Sequence, residues 1–245
     1  MSFSLRRFVP FIVWLAATPA GAITGDASGN ASRAIVMITT NSSLCTGTAI
    51  ARDIVLTAAH CMQQRNSLVR TSRGSAEYLI REVAVHPRFD LQGYALHRAT
   101  ADVALIKLSS SLPSEVVPAA LVSPAFRAAV GNRMTVAGFG TTASGTDRGL
   151  YTARSATLAV TGQPGSLQIR LHDPATRNER AGLGACTGDS GGPAFSGNAI
   201  AGIVSWTTGP GNSEGCGGLT GVTPLTLYRS WIVEQVRKMG GEIAP

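Results

Sequence analysis

The chain has 245 residues, 44% hydrophobic and 14% charged, which excludes large-scale disorder and allows a buried core. Its formal charge of +7, about +5 without Arg6 and Arg7, would suit acidic partners, but the arginines are scattered and form no basic run. No nucleic-acid site is therefore expected, and the length fits one all-β unit or two small lobes sharing a cleft.

Residues 1–22 read as a secretory signal, with a basic start at Arg6-Arg7, a short apolar run and a small-residue cleavage site at Ala20-Gly21-Ala22. The run is too short for a bilayer, so no membrane span and an extracellular or periplasmic location are expected. Short apolar or alternating runs follow at residues 34–39, 54–57, 79–85, 103–108, 134–137, 156–160, 167–171 and 199–204, separated by Gly and Pro. That spacing predicts a β-sandwich or barrel. The Pro-bearing stretch 112–124 is the natural internal boundary. Helical periodicity appears only at the end: Thr223-Pro224 reads as cap and first residue, Tyr228, Trp231, Ile232, Val236 and Met239 share a face, and Gly240-Gly241 ends it.

Three short boxes carry chemistry: Thr57-Ala58-Ala59-His60-Cys61, Ala101-Asp102-Val103-Ala104-Leu105 and Gly188-Asp189-Ser190-Gly191-Gly192-Pro193. A serine hydroxyl attacks an amide only with a base to take its proton, a carboxylate to orient that base, and donors for the oxyanion. Ser190, His60 and Asp102 supply the first three parts. Each alone has a plainer reading: a core histidine, a turn-capping aspartate or a phosphate-binding glycine loop. The phosphate loop fails, because no Gly-x-x-x-x-Gly-Lys-Ser motif is present. His86, His97 and His172 have no comparable setting. Four cysteines without Cys-x-x-Cys spacing suggest two disulfides, with three pairings open, and no metal.

In the order His, Asp, Ser, these boxes resemble the trypsin/chymotrypsin-like serine proteases, over nearly everything from Ile23 to Met239. The resemblance implies two antiparallel six-stranded Greek-key β-barrels, about 23–117 and 118–245, with a cleft between them and a C-terminal α-helix. It selects the pairs Cys45 with Cys61 and Cys186 with Cys216. It implies an acyl-enzyme mechanism with catalytic His60, Asp102 and Ser190, an oxyanion hole from the N–H groups of Gly188 and Ser190, and no cofactor. In the family the carboxylate at Asp189 pairs with a new α-ammonium. Ile23-Thr24-Gly25-Asp26, directly after the expected cleavage site, resembles the family's amino terminus, so signal cleavage alone would activate the enzyme.

For substrate, Ser205-Trp206-Thr207 resembles the strand that pairs with an extended peptide backbone. The pocket floor falls at Gly184 and the alternative acidic place at Gly221, so neither provides a charge for Arg or Lys. Thr207, in place of a common glycine, narrows the wall. Together these imply small to medium apolar residues before the scissile bond. Glu214, in the adjacent loop, is taken as a solvated acid, with reach to a basic substrate as the alternative. Residues 91–97 look like an insertion bordering the cleft, and residues 65–76 have no carboxylate for calcium. Polypeptide substrates, protein inhibitors and a monomeric state are expected. The alternatives are a catalytically silent binding protein on the same scaffold and an esterase-like hydrolase.

Overall fold

The computed structural model describes residues 25–26, 33–40, 42–64, 67–72, 76–163 and 165–243. The expected signal segment, residues 1–22, and Ile23 lie outside them. Thirteen strands are described: β1 (Gly25–Asp26), β2 (Ile35–Thr39), β3 (Leu44–Ala49), β4 (Ile54–Thr57), β5 (Leu68–Arg70), β6 (Glu77–Val85), β7 (Ala104–Leu108), β8 (Arg133–Gly138), β9 (Arg154–Gly162), β10 (Ile169–His172), β11 (Pro193–Ser196), β12 (Ala199–Thr207) and β13 (Leu219–Pro224). Helices are few: α1 (Leu91–Ala95), α2 (Arg229–Lys238) and short 3-10 turns.

β2 to β7 close into one antiparallel barrel in the order β2-β3-β4-β7-β6-β5. β8 to β13 close a second in the order β8-β9-β10-β13-β12-β11, with β11 paired back to β8. The two orders are the same: three strands run up and down, and the sixth returns beside the third, which is Greek-key connectivity. The expected all-β fold of two six-stranded barrels is what the chain adopts.

Two of the strands missing from the apolar runs show why the pattern is incomplete. β3 is Leu-Cys-Thr-Gly-Thr-Ala and β13 is Leu-Thr-Gly-Val-Thr-Pro, both almost wholly buried and without alternation. Thr46 of β3 donates to the Gly188 carbonyl and Thr220 of β13 accepts from Ala185 N–H, so these strands read as loop in sequence and sit as core in space. The C-terminal helix also starts later than Thr223-Pro224 suggests. Those two residues end β13, opposite Ile203 and Gly202 of β12, and α2 begins at Arg229 after a 3-10 turn at Leu225–Leu227.

The core joins the barrels instead of separating them. One cluster holds Ile35, Ile54, Leu56, Leu105 and Leu108 of the first barrel together with Phe139, Phe195 and Ile203 of the second and Tyr228, Ile232 and Val236 around α2. A second, including Met134, Leu158, Val160, Leu171 and Val222, fills the other barrel. The chain ends cross over. β1 lies on β9 of the second barrel, with Gly25 opposite Ser155 and Asp26 opposite Arg154. α2 packs its buried Ile232 and Val236 into the cluster of the first barrel. Between the barrels, Val117 N–H bonds to the Arg33 carbonyl, Ala119 N–H to that of Ala49, and Leu121 bridges to Ile200.

Candidate active site

His60 sits in a 3-10 turn, Ala59–Met62, directly after β4. The next residue, Cys61, is cross-linked to Cys45 in β3, with Cα atoms 6.2 Å apart. The second bridge is Cys186 to Cys216, Cα atoms 5.0 Å apart. Both pairings are those the family resemblance selects.

Asp102 precedes β7 and is 1% exposed, a burial that would be costly for an unpaired carboxylate. Its oxygens are instead satisfied three times. Oδ1 accepts from His60 N–H at 2.9 Å, and Oδ2 lies 2.8 Å from His60 Nδ1 and accepts from Ser205 Oγ at 2.6 Å. A carboxylate holding Nδ1–H leaves the Nε2 lone pair free for a proton. Ser205 stands at a bulge between Val204 and Trp206, so β12 of the second barrel reaches across to tether an acid of the first.

The Ser190 loop is braced from both sides. Thr46 N–H in β3 donates to the Ser190 carbonyl at 2.8 Å, Thr46 Oγ1 donates to the Gly188 carbonyl at 2.9 Å, and Gly191 N–H donates to the Val204 carbonyl at 2.8 Å. Cys61 Sγ lies 3.7 Å from both His60 Nε2 and the Ser190 carbonyl oxygen, so the imidazole and the serine loop flank one disulfide. Gly188 has φ +96°, a conformation that side chains avoid, and a Cβ there would stand 2.9 Å from Gly140 Cα. The N–H groups of Gly188 and Ser190 find no acceptor among the described residues. His60, Gly188 and Ser190 line one cleft of about 870 Å³ with Tyr94, Trp206 and Thr207.

Asp189 points away from this cleft, fully buried. Its Oδ1 accepts from Gly140 N–H and its Oδ2 from Cys186 N–H, each at 2.8 Å. Burial pushes the carboxyl up to about 7, against the opposing pull of those N–H groups and of the Arg154 charge. Its expected partner, Ile23, lies outside the described residues, and in a chain starting at Met1 the Ile23 nitrogen is part of a peptide bond.

Ser205, Trp206 and Thr207 line the cleft, but Gly184 and Gly221 do not. Gly184 is buried beside Thr220, whose Oγ1 accepts from Ala185 N–H at 2.9 Å. Gly221 underlies the Trp206 indole, which a Cβ would strike. The wall is tied down: Thr207 Oγ1 donates to the Ala185 carbonyl at 2.7 Å. Sequence reasoning missed two residues. Thr46 carries no motif beyond following Cys45, and Tyr94 lies in the insertion noted at residues 91–97.

A two-barrel fold with a His60–Asp102 pair and Ser190 at the barrel junction defines a chymotrypsin-like serine protease scaffold. The comparisons agree. The Trypsin family model matches residues 23–232, and the chain belongs to the trypsin family of serine endopeptidases. It is 30% identical over 200 residues to trypsin alpha of Drosophila melanogaster, covering 77% of this chain and 76% of that one. It is 29% identical to snake venom serine protease rhinocerase 4 of Bitis rhinoceros, covering 83% and 82%. Among solved structures, mouse neuropsin superposes with a TM-score of 0.73 at 22% identity, over 88% of this chain and 99% of that one. Human heparin binding protein superposes with a TM-score of 0.73 at 23% identity, over 93% and 100%. At such identities these two bear on the fold alone.

Proposed function

We propose that the chain is a secreted endopeptidase that cleaves polypeptides after small to medium apolar residues through an acyl-enzyme. The observation that carries this is the 2.8 Å contact of His60 Nδ1 with buried Asp102, in the cleft that Ser190 lines. Ser190 Oγ bonds to the scissile carbonyl carbon while its proton passes to His60 Nε2. The carbonyl oxygen takes up charge toward the N–H groups of Gly188 and Ser190. The C–N bond then breaks and His60 returns the proton to the leaving amine. Water repeats the sequence in reverse to release the acid.

Two disulfides support a protein that matures outside reducing cytosol. Removal of residues 1–22 would free the Ile23 ammonium to neutralise Asp189, making signal cleavage the activating step. No acidic side chain stands at Gly184 or Gly221, which supports an apolar preference. Protein inhibitors and a monomeric state complete the proposal.

The test is the intact mass of the secreted protein before and after a fluorophosphonate probe, with Ser190→Ala as control. A mass starting at Ile23 plus one adduct, absent from the control, is expected. A free Ile23 with an unreactive Ser190 would overturn the enzyme reading.

A further inference from the structure

The feature that catalysis leaves unused is Tyr94. α1 stands in the insertion ahead of Asp102, with Leu91 48% and Leu96 66% exposed at its tip. The base of the insertion is fastened, since Thr100 Oγ1 accepts from Asp90 N–H at 2.7 Å and donates to the Arg88 carbonyl at 3.2 Å. From this fastened base the Tyr94 ring reaches into the cleft and lies flat on His60, with centroids 4.4 Å apart and planes at 12°. Its hydroxyl donates to the Ser205 backbone carbonyl at 3.1 Å.

That carbonyl belongs to the bulge residue of β12, where the pairing with β13 shifts register. A backbone acceptor at a bulge facing a cleft is a natural docking point for an extended peptide. Tyr94 already holds it. Burial raises the phenol's pKa above its ordinary value, so the hydroxyl stays a donor throughout the working range.

We propose that Tyr94 is a specificity-determining residue that occupies the Ser205 carbonyl as a stand-in for a substrate N–H, so that a peptide binds there only by displacing the phenol. This inference rests on the reading of Ser205 to Thr207 as the substrate-pairing strand. Displacement exchanges one hydrogen bond for another. Ligands without an N–H at that position do not make the exchange and leave the phenol in place. Tyr94 therefore weakens every ligand that brings an N–H to that carbonyl, and only extended peptides with further contacts along Trp206 and Thr207 offset the displacement.

The test is binding in the Ser190→Ala background, which reads affinity whether or not the enzyme turns over. The ligands are acetyl-tetra-alanine amide and its depsipeptide twin, in which the N–H of the last alanine is replaced by oxygen, titrated by NMR. Tyr94→Phe keeps the ring on His60 and removes the donor. It should tighten the peptide about three- to tenfold, the range of one net hydrogen bond, and leave the depsipeptide unchanged. Tyr94→Ala, checked for folding by its melt, should give at least the same peptide gain. Equal shifts for both ligands, or no shift in the peptide, would overturn the role of Tyr94. If the peptide instead shifts no amide from Ser205 to Thr207, the substrate-strand reading itself fails.

Discussion

At Asp102, three donors converge on one buried carboxylate, and two of them come from His60 itself. Asp102→Asn keeps the shape but presents an amide that cannot accept from all of them, so the imidazole loses its enforced tautomer. A fall in kcat of about 10⁴-fold is expected with little change in the melting temperature, measured on a peptide substrate. Gly221 has a different dependence, because the Trp206 indole lies where a side chain would begin. Gly221→Ala should push Trp206 from the cleft wall. KM for an extended peptide should then rise much more than for a single-residue ester, and equal effects on both would show that Trp206 does not contact the extended chain.

At the scale of elements, β3 works as a splint. Through Thr46 it bonds the Ser190 and Gly188 carbonyls and accepts from Phe139 N–H at 3.1 Å, all across the barrel boundary. Thr46→Val is nearly isosteric but removes the hydroxyl from two buried partners. A loss of about 1 to 3 kcal/mol is expected, seen as a shift in denaturant midpoint at unchanged m. For α2, Ile232→Ala should cost about 2 to 5 kcal/mol, since Ile232 is wholly buried where the helix meets the first barrel's core. Which of these elements could be read in advance follows from their surroundings. β4 (Ile-Val-Leu-Thr) and β7 (Ala-Leu-Ile-Lys-Leu) are mostly apolar runs and announce themselves. β3 and β13 mix threonine and glycine because both their faces are buried, and nothing in a local window distinguishes that from a loop. His60, Asp102 and Ser190 were legible as candidates because each stands in a short sequence box, while the cysteine pairing came only with the family resemblance. Tyr94 was not, since its partners His60 and Ser205 lie 34 positions before it and 111 after it, and only the closed fold brings them to its ring.

For the whole molecule, the carboxyl of Asp189 makes stability depend on pH. Folding raises its pKa from the ordinary 3.8 to about 7, so the folded chain holds this proton more tightly than the unfolded one. The contribution is complete below pH 3.8 and is lost as pH climbs to about 7, a change of roughly 4 kcal/mol at most for a group so buried. A chain with residues retained before Ile23 should therefore lose several degrees of melting temperature between pH 4 and 7 relative to its Asp189→Asn variant. The chain starting at Ile23 should lose less, because a buried ammonium stabilises the ionised form. Parallel melting curves for the two amino termini would contradict the pairing.

The exchange of chain ends, β1 onto the second barrel and α2 onto the first, bears on how such a protein can be taken apart. Each barrel is fastened by a piece encoded at the far end of the other half. A hybrid that splices the first half of this chain to the second half of a relative near residue 118 would give both barrels a borrowed fastener. The viable unit of recombination is then a barrel plus the opposite terminus, and a workable swap needs two splice points, one near each end of the chain, in addition to the one in the middle.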